Sequence, residues 1–164
     1  MSRFLKEGFE NIPRNHHKGP GEYEYYRRNL TDGENPRQCS VSVYEIPPGK
    51  SAYPYHYHIK NEEAFYILSG IGSLKTPEGV KDVKAGDFVF FNAEESGAHK
   101  LTNTSETEML TYLDFDTQNE VDITFYPDSS KVAIWGKNVN KLYKSDKTLD
   151  YYEGETEVFK NVEL

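Results

Sequence analysis

Short runs of alternating apolar and polar residues recur along the middle of the chain. The first, residues 38–46 (QCSVSVYEI), is rich in β-forming residues and is stopped by Pro47, Pro48 and Gly49. Between the runs that follow lie segments rich in turn-forming residues. Strands this short and this regularly spaced predict an all-β sandwich or barrel. The further candidate strands cover residues 52–58, 63–69, 71–76, 86–92, 98–103, 108–115 and 121–126.

The strand pattern is absent from both ends of the chain. Residues 1–37 are polar and are interrupted by Gly, Pro and Asn, which predicts an N-terminal arm with one short strand or helix. Residues 136–164 are polar, with a tyrosine-rich stretch at 150–155. We expect this C-terminal tail to pack on the barrel or on a partner subunit. The predicted barrel itself covers residues 38–135.

Composition narrows the classes of function. A chain of 164 residues suits one domain with a single core. Its net charge of -8 argues against nucleic-acid binding, which needs clustered Lys and Arg. The single cysteine, Cys39, excludes an internal disulfide and is expected to be a small buried residue in its strand. No export signal or membrane-length apolar run is present in the sequence, so a cytoplasmic protein without a membrane partner is expected.

Candidate metal ligands cluster in the segment HYHIKNEE, residues 56–63. Side chains two apart on a strand point to the same face, so His56 and His58 project together. A tight turn can return the chain and present Glu62 or Glu63 beside them, and strand alternation favours Glu63, with Glu62 pointing away. A fourth ligand should come from another strand, and His99 is the obvious donor. Three imidazoles and one carboxylate suit Fe, Mn, Ni, Cu or Zn.

These residues resemble the two motifs of the cupin family. Gly49, the His56/His58 pair, Glu63 and Gly70 follow the first motif, and Gly86, His99 and Asn103 follow the second. The resemblance implies a cupin-type antiparallel β-barrel, also called a double-stranded β-helix or jelly roll, with a metal ion held by His56, His58, Glu63 and His99. It also suggests a homodimer, in which a strand such as 38–46 pairs across the interface.

The sequence departs from the family pattern in two turns. The spacing from Gly49 to His56 is one residue longer than usual. Asn92 stands where proline is usual, and the loop from there to His99 is two residues longer. Insertions in turns cost little loop-closure entropy, so the four ligands are kept while the rim of the pocket is altered. Glu94 and Glu95 lie in the lengthened loop and can reach toward the site.

Three classes of function remain open. The first is a metal-dependent enzyme acting on a small molecule, with oxygenase, decarboxylase and isomerase chemistry all represented in the family. The second is a non-catalytic sensor or carrier of a small ligand, and the third is a structural barrel. A general acid or base for the first class has to come from a further carboxylate or tyrosine, which the sequence does not single out.

Several other residues have structural interpretations. His16 and His17 are expected to be exposed in a polar loop. Tyr53, Tyr55 and Tyr57 fall on the face opposite the histidines, where they pack against a second sheet or a partner, or where Tyr53 lines a substrate pocket. Phe88 and Phe90 share one face of their strand and are expected to fill the barrel. Asn103 is expected to serve the turn after its strand rather than to bind metal.

Overall fold

The computed structural model describes residues 8–31 and 38–155 of the protein. The predictions for the remaining parts of the arm and tail, residues 1–7, 32–37 and 156–164, lie outside the described residues. Within the described ranges nearly all of the regular secondary structure is β-strand, with three short 3₁₀ turns at Phe9–Asn11, Glu95–Gly97 and Pro127–Ser129. The strands are β1 Asn15–Lys18, β2 Glu24–Asn29, β3 Cys39–Ile46, β4 Tyr57–His58, β5 Glu63–Ser69, β6 Ile71–Thr76, β7 Gly79–Lys84, β8 Phe88–Phe91, β9 Lys100–Asn103, β10 Leu110–Thr117, β11 Val121–Tyr126, β12 Lys131–Gly136 and β13 Val139–Lys144.

The strands form three antiparallel sheets. The largest has the order β1-β2-β3-β10-β5-β8, so the hairpin β1–β2 of the N-terminal arm extends it at one edge. The second sheet has the order β13-β12-β11-β4, and the third has the order β7-β6-β9. Non-consecutive neighbours such as β3, β10 and β5 are typical of jelly-roll connections rather than of a simple meander. The all-β, antiparallel prediction is therefore confirmed.

The two smaller sheets meet along the segment that precedes β5. His56 pairs antiparallel with His99 through two backbone hydrogen bonds, in which the His56 amide donates to the His99 carbonyl at 3.1 Å and the His99 amide donates back at 2.9 Å. Ser51 pairs in the same way with Thr102, and their hydroxyl oxygens are 2.8 Å apart. Residues 51–58 thus form a seam between the sheet of β9 and the sheet of β11.

The core lies between the large sheet and the sheet of β6, β7 and β9. Strand alternation directs its members inward, because every second residue faces the same side. On β5, Phe65 and Ile67 are buried while Tyr66 between them is exposed, as the sequence predicted. Side chains from both walls form one cluster: Tyr44, Ile46, Ala52, Phe65, Ile67, Leu74, Val83, Phe91, Leu101, Leu110 and Tyr112.

One predicted strand boundary was wrong, and several strands were not predicted, since the arm holds two strands, β1 and β2, instead of one. The predicted strand 52–58 shortens to Tyr57–His58, because the segment before it crosses between sheets and contains Pro54, which has no amide to donate to a ladder. Strand β7, Gly79–Lys84, was not predicted because it is exposed on almost every residue and rich in charge. The polar region after Trp135 also holds a strand, β13, whose side chains are all exposed.

Two side-chain predictions and one prediction of strand pairing were also wrong. Phe88 and Phe90 are 63% and 50% exposed, while Phe91 of the same strand is buried, so β8 turns its other face to the core. Cys39 is exposed at the start of β3 instead of buried. Strand β3 cannot pair across an interface, since β2 and β10 occupy both of its edges.

The outer face of the large sheet carries apolar side chains. Tyr66 and Phe88 lie opposite each other on β5 and β8, and Leu68 and Phe90 flank them. All four side chains are more than a third exposed, so this face of the sheet is apolar and open. The homodimer stays a prediction. Among the described residues, no helix has the length and apolar character needed to cross a membrane.

Candidate metal centre

The four predicted ligands come together at the seam. His56 and His58 enter from the segment leading into β4, Glu63 opens β5, and His99 precedes β9. The His56–His99 backbone pair places these two imidazole rings 4.7 Å apart between centroids. Pairing of β4 with β11 fixes His58 opposite Thr124. Three separate stretches of sheet therefore deliver side chains to one point.

Each imidazole is held by a hydrogen bond at its Nδ1 atom. His56 Nδ1 lies 2.8 Å from the carbonyl oxygen of Pro54, and His99 Nδ1 lies 2.9 Å from that of Gly97. His58 Nδ1 lies 2.5 Å from Oδ2 of Asp122. Because carbonyl and carboxylate oxygens only accept, the ring proton resides on Nδ1 in all three histidines. Their Nε2 atoms are therefore lone-pair donors.

The three Nε2 atoms converge on one carboxylate oxygen. Oε2 of Glu63 is 3.7 Å from Nε2 of His56, 3.5 Å from that of His58 and 3.2 Å from that of His99. Oε2 of Glu63 and Nε2 of His99 are buried without a hydrogen-bond partner among the described residues. An acceptor oxygen facing three acceptor nitrogens lacks the proton or cation that would compensate its burial.

Burial opposes charge on these groups. It lowers the pKa of His56 to about 4, with His58 adding to the effect, and lowers the pKa of His99 well below its usual range. Burial also raises the pKa of Glu63, and the nearby Asp116 and Asp114 raise it further. The His–Glu63 contacts are therefore not ordinary salt bridges, since His56 and His99 are held neutral.

A metal ion fits this donor set. Ligand atoms of His56, His58 and Glu63 all lie within 4.8 Å of one another, and His99 contacts the same Glu63 oxygen. Neutral imidazole nitrogens with fixed tautomers and a carboxylate are the ligands that first-row divalent ions take. A cation at this point would also satisfy the buried atoms that lack partners.

Asp122 orients His58 and joins it to the neighbouring loop. Besides the bond to His58, its other oxygen, Oδ1, accepts the backbone amides of Lys60 at 2.9 Å and Asn61 at 3.3 Å. Burial would raise the pKa of Asp122, but these hydrogen bonds outweigh it and lower the pKa, so the carboxylate is ionised. Carboxylates in this position fix the ring and increase its strength as a ligand.

His99 is oriented by a glycine and an aromatic ring. A Cβ atom on Gly97 would lie 1.8 Å from the carbonyl oxygen of Asn92, so only glycine permits the 3₁₀ turn Glu95–Gly97 that presents its carbonyl to His99. Phe91 stacks on the imidazole with 3.7 Å between ring centroids, and Phe65 contacts it edge-on at 5.3 Å. The ring is thus fixed on every side but its Nε2 edge.

Two further carboxyl groups adjoin Glu63. Atoms of Glu63, Asp114 and Asp116 lie within 4.8 Å of one another. Asp114 is 4% exposed, and burial together with Asp116 raises its pKa, against the opposing charge of Arg27. Both aspartates come from alternate positions of β10, which point inward beside Tyr112. The site therefore has carboxyl groups beyond those needed to bind one ion.

An open cavity of about 380 Å³ borders the candidate centre. Its volume falls within the range of small-molecule sites. Carboxyl groups and imidazoles line one part of it, and aromatic side chains and a single Arg line the rest. The lining residues are Arg27, Ser40, Tyr44, Tyr53, His56, His58, Asn61, Glu63, Asp114, Asp116, Gln118, Thr124, Tyr126 and Trp135.

Two other residues singled out from the sequence, Tyr53 and Asn103, have different roles. Tyr53 lines the cavity, and its hydroxyl contacts those of Tyr25 and Tyr44, each at 3.0 Å. Asn103 serves its turn, as predicted, because its side chain bonds the carbonyls of Ile46 and Glu108 and the amide of Ser105.

The acidic residues next to the motifs stay outside the site. Glu62 is exposed and points away, as predicted. Glu94 and Glu95 are also exposed and line neither the cavity nor the centre, so the prediction that they reach it was wrong. Only the backbone of Glu94 contributes, because its amide donates to the carbonyl of His58 at 2.6 Å. His16 and His17 are exposed as predicted, but on strand β1 rather than in a loop.

Sequence reasoning missed four residues around the centre: Arg27, Asp114, Asp116 and Asp122. The aspartates carried a signal, since LDFDT and VDITFY alternate acidic or aromatic residues at strand spacing. Deciding which of the two faces is inward needed the pairing of β10 with β5 and of β11 with β4. Arg27 lay in the segment interpreted as an arm and carried no signal.

The comparisons with known proteins agree with this fold and site. Residues 42–115 match the model of the cupin domain. Together with the arrangement of the sheets, this match shows that the chain has the cupin fold over these residues. The matched range includes all four residues of the candidate centre. Among curated proteins, none matches the chain.

Solved structures show the same fold over most of the chain. A candidate sugar phosphate isomerase from Acidithiobacillus ferrooxidans is 28% identical, with a TM-score of 0.76 over 85% of this chain and 90% of that one. A sugar phosphate isomerase of the cupin superfamily from Silicibacter pomeroyi is 20% identical, with a TM-score of 0.77 over 88% and 95%. A predicted oxalate decarboxylase from Thermotoga maritima is 24% identical, with a TM-score of 0.60 over 70% and 100%. The last two likenesses concern the fold alone.

Proposed function

We propose that this protein is a metal-dependent enzyme that isomerises a small polyhydroxylated molecule. The observation that carries the proposal is the convergence of three imidazole Nε2 atoms on the unpartnered oxygen of Glu63, at the wall of an open cavity. His56, His58, Glu63 and His99 are the proposed ligands. The similarity to the A. ferrooxidans protein, at 28% identity, supports isomerisation over oxygenation or decarboxylation.

The cavity wall suits a substrate with many hydroxyl groups. Carboxylates accept two hydrogen bonds from neighbouring hydroxyls, and Asp114 and Asp116 present such oxygens beside Glu63. Tyr53, Tyr126 and Trp135 line the same space with ring faces, which pack on the C–H faces of a sugar. A deep apolar pocket for a hydrocarbon ligand would not carry three carboxyl groups.

The proposed reaction interconverts an aldose and a ketose: the proton on C2 moves to C1, and the hydroxyl proton on O2 moves to the oxygen on C1. A bound divalent ion would polarise the carbonyl and hydroxyl oxygens of the substrate. Asp116 is the proposed proton carrier, because it is half-buried at the cavity wall and adjoins Glu63. Asp122 would hold the ring of His58 in place during the reaction.

Metal reconstitution with an isomerase assay tests this function. Chelated protein should lack turnover of aldose phosphates, and one of Fe, Mn, Ni, Cu or Zn should restore it. Asp116→Asn should keep the metal and lose turnover by about a hundredfold or more. Asp128→Asn, which breaks only the exposed contact with Lys75, is the matched control and should be unaffected. A protein that binds metal and sugar tightly but turns over no aldose or ketose would be a carrier, and the proposal would be wrong.

A further inference from the structure

Arg27 is a cation in a cavity whose other charged groups, among the residues that the structure describes, are acidic or imidazole. It lies on β2, where pairing with Tyr44 of β3 turns its side chain into the cavity, while Arg28 points away and bonds the carbonyl of Ile12. The guanidinium is half-buried. Burial opposes its charge, but Tyr44, Tyr53 and Asp114 nearby outweigh this and raise its pKa, so Arg27 is charged.

The guanidinium is only partly engaged by the protein. Its Nε atom donates to the hydroxyl of Ser42 at 3.0 Å, and its central carbon lies 5.3 Å from the centre of the Tyr44 ring. Within the described residues, its two terminal nitrogens make no hydrogen bond and no ion pair at 4.0 Å or less. Four N–H groups of a charged fork therefore face the cavity without an acceptor, although Asp114 and Asp116 line the same space.

The position and the chemistry of the Arg27 guanidinium together indicate which kind of group its N–H groups would bind. Arg presents parallel N–H groups that match the oxygens of a phosphate or carboxylate, and it is well suited to both because it is more weakly hydrated than Lys. The protein carries a net charge of -8, so general attraction does not bring anions to it. The Arg27 guanidinium on the cavity wall would instead bind one anionic group of the molecule that enters the cavity.

We propose that Arg27 binds the anionic group, a phosphate or carboxylate, of the molecule that occupies the cavity. The inference rests on the proposed function for the sugar-like remainder of that molecule. It adds a specificity-determining residue, supplied by the N-terminal hairpin rather than by the cupin motifs. The substrate is then an aldose or ketose with one anionic end, whose carbonyl and hydroxyl end lies at Glu63, Asp114 and Asp116.

Direct binding measurements on the metal-loaded protein test this subsite. The probes are a hexose 6-phosphate, the corresponding sugar acid, the neutral hexose and inorganic phosphate, each titrated by calorimetry. Arg27→Gln should weaken the preferred anion by about 10- to 100-fold, the usual effect of losing charged hydrogen bonds, and leave the neutral hexose unchanged. Arg27→Lys keeps the charge but loses the fork, so it should fall between wild type and Arg27→Gln.

Controls separate this inference from the proposed function. Lys141→Gln on the exposed strand β13 removes the same charge away from the cavity and should bind like wild type. Phosphate-selective or carboxylate-selective loss identifies the anion. Equal affinity of wild type and Arg27→Gln for every anion, or a drop in metal content in Arg27→Gln, would overturn the subsite. Anion binding that depends on Arg27 without any isomerase turnover would support the subsite and contradict the proposed reaction.

Discussion

Replacing Asp122 by asparagine should weaken metal binding without touching a ligand. The aspartate accepts hydrogen bonds on both sides, from Nδ1 of His58 on Oδ2 and from the amides of Lys60 and Asn61 on Oδ1. Asparagine has nearly the same shape but only one accepting oxygen. Its amide nitrogen must therefore face a donor on one of the two sides.

Either orientation disturbs the site. If the amide nitrogen faces His58, the ring satisfies it by moving its proton from Nδ1 to Nε2, which removes the lone pair directed at Glu63. If it faces the loop, the backbone bonds of Lys60 and Asn61 are lost, and each buried donor left unpaired costs about 1–3 kcal/mol. Loss of such a partner typically lowers metal affinity by about 10- to 100-fold. This corresponds to about 1.4–2.7 kcal/mol of binding free energy.

Competition against a chelator of known affinity measures the effect. Zn²⁺ affinity is compared between wild type, Asp122→Asn and Asp128→Asn, each first freed of metal. Asp128 pairs with Lys75 on the surface, so its variant should lose less than about 1 kcal/mol of stability and no metal affinity. Metal affinity of Asp122→Asn within twofold of wild type would refute the reasoning, because it would show that the tautomer of His58 is fixed by something else.

Three further changes have defined outcomes. Glu63→Gln should raise the unfolding free energy of the chelated protein by about 1–3 kcal/mol, because the glutamine amide donates to the imidazole nitrogens. The same variant should no longer be stabilised by added metal. A variant that is less stable than wild type in denaturant melts of the chelated proteins would contradict this. Gly97→Ala should cost about 3 kcal/mol or more and lower metal content, because its Cβ collides with the carbonyl of Asn92. Phe88→Ser/Phe90→Ser should convert a dimer to a monomer in light scattering if the outer apolar face is the subunit contact; an unchanged mass would place the contact elsewhere.

The predicted ligands could be found from sequence because their geometry is local. A strand spacing of two places His56 beside His58, and one turn returns Glu63, so the hairpin needs no long-range information. The alternation on β5 assigned Glu63, Phe65 and Ile67 to one inward face, and all three are buried, although Ala64 between them is buried as well. His99 was predicted because a further strand had to supply the fourth ligand, but its backbone pairing with His56 joins segments distant in sequence and was not predicted.

The failures have an equally physical origin. In FVFF, residues 88–91, all four side chains are apolar, so the sequence does not show which alternate residues face the core. Phe88 was therefore assigned to the wrong face. Asp122 reaches His58 only because β11 pairs with β4. Strand β4 has two residues, which is too short for the sequence pattern to predict this pairing. Arg27 became part of the cavity because the arm adds a hairpin to the large sheet, and no local pattern predicts sheet order.

The seam at His56 and His99 has a consequence for how the protein is assembled. The same two residues close the backbone between two sheets and offer nitrogen atoms to the centre. The centre therefore forms only when these two sheets pack together. An ion bound there would link the two sheets and stabilise their contact. Slow hydrogen exchange at the amides of His56 and His99 would then report that the centre holds an ion. Chelation would weaken the contact between the two sheets rather than a single loop.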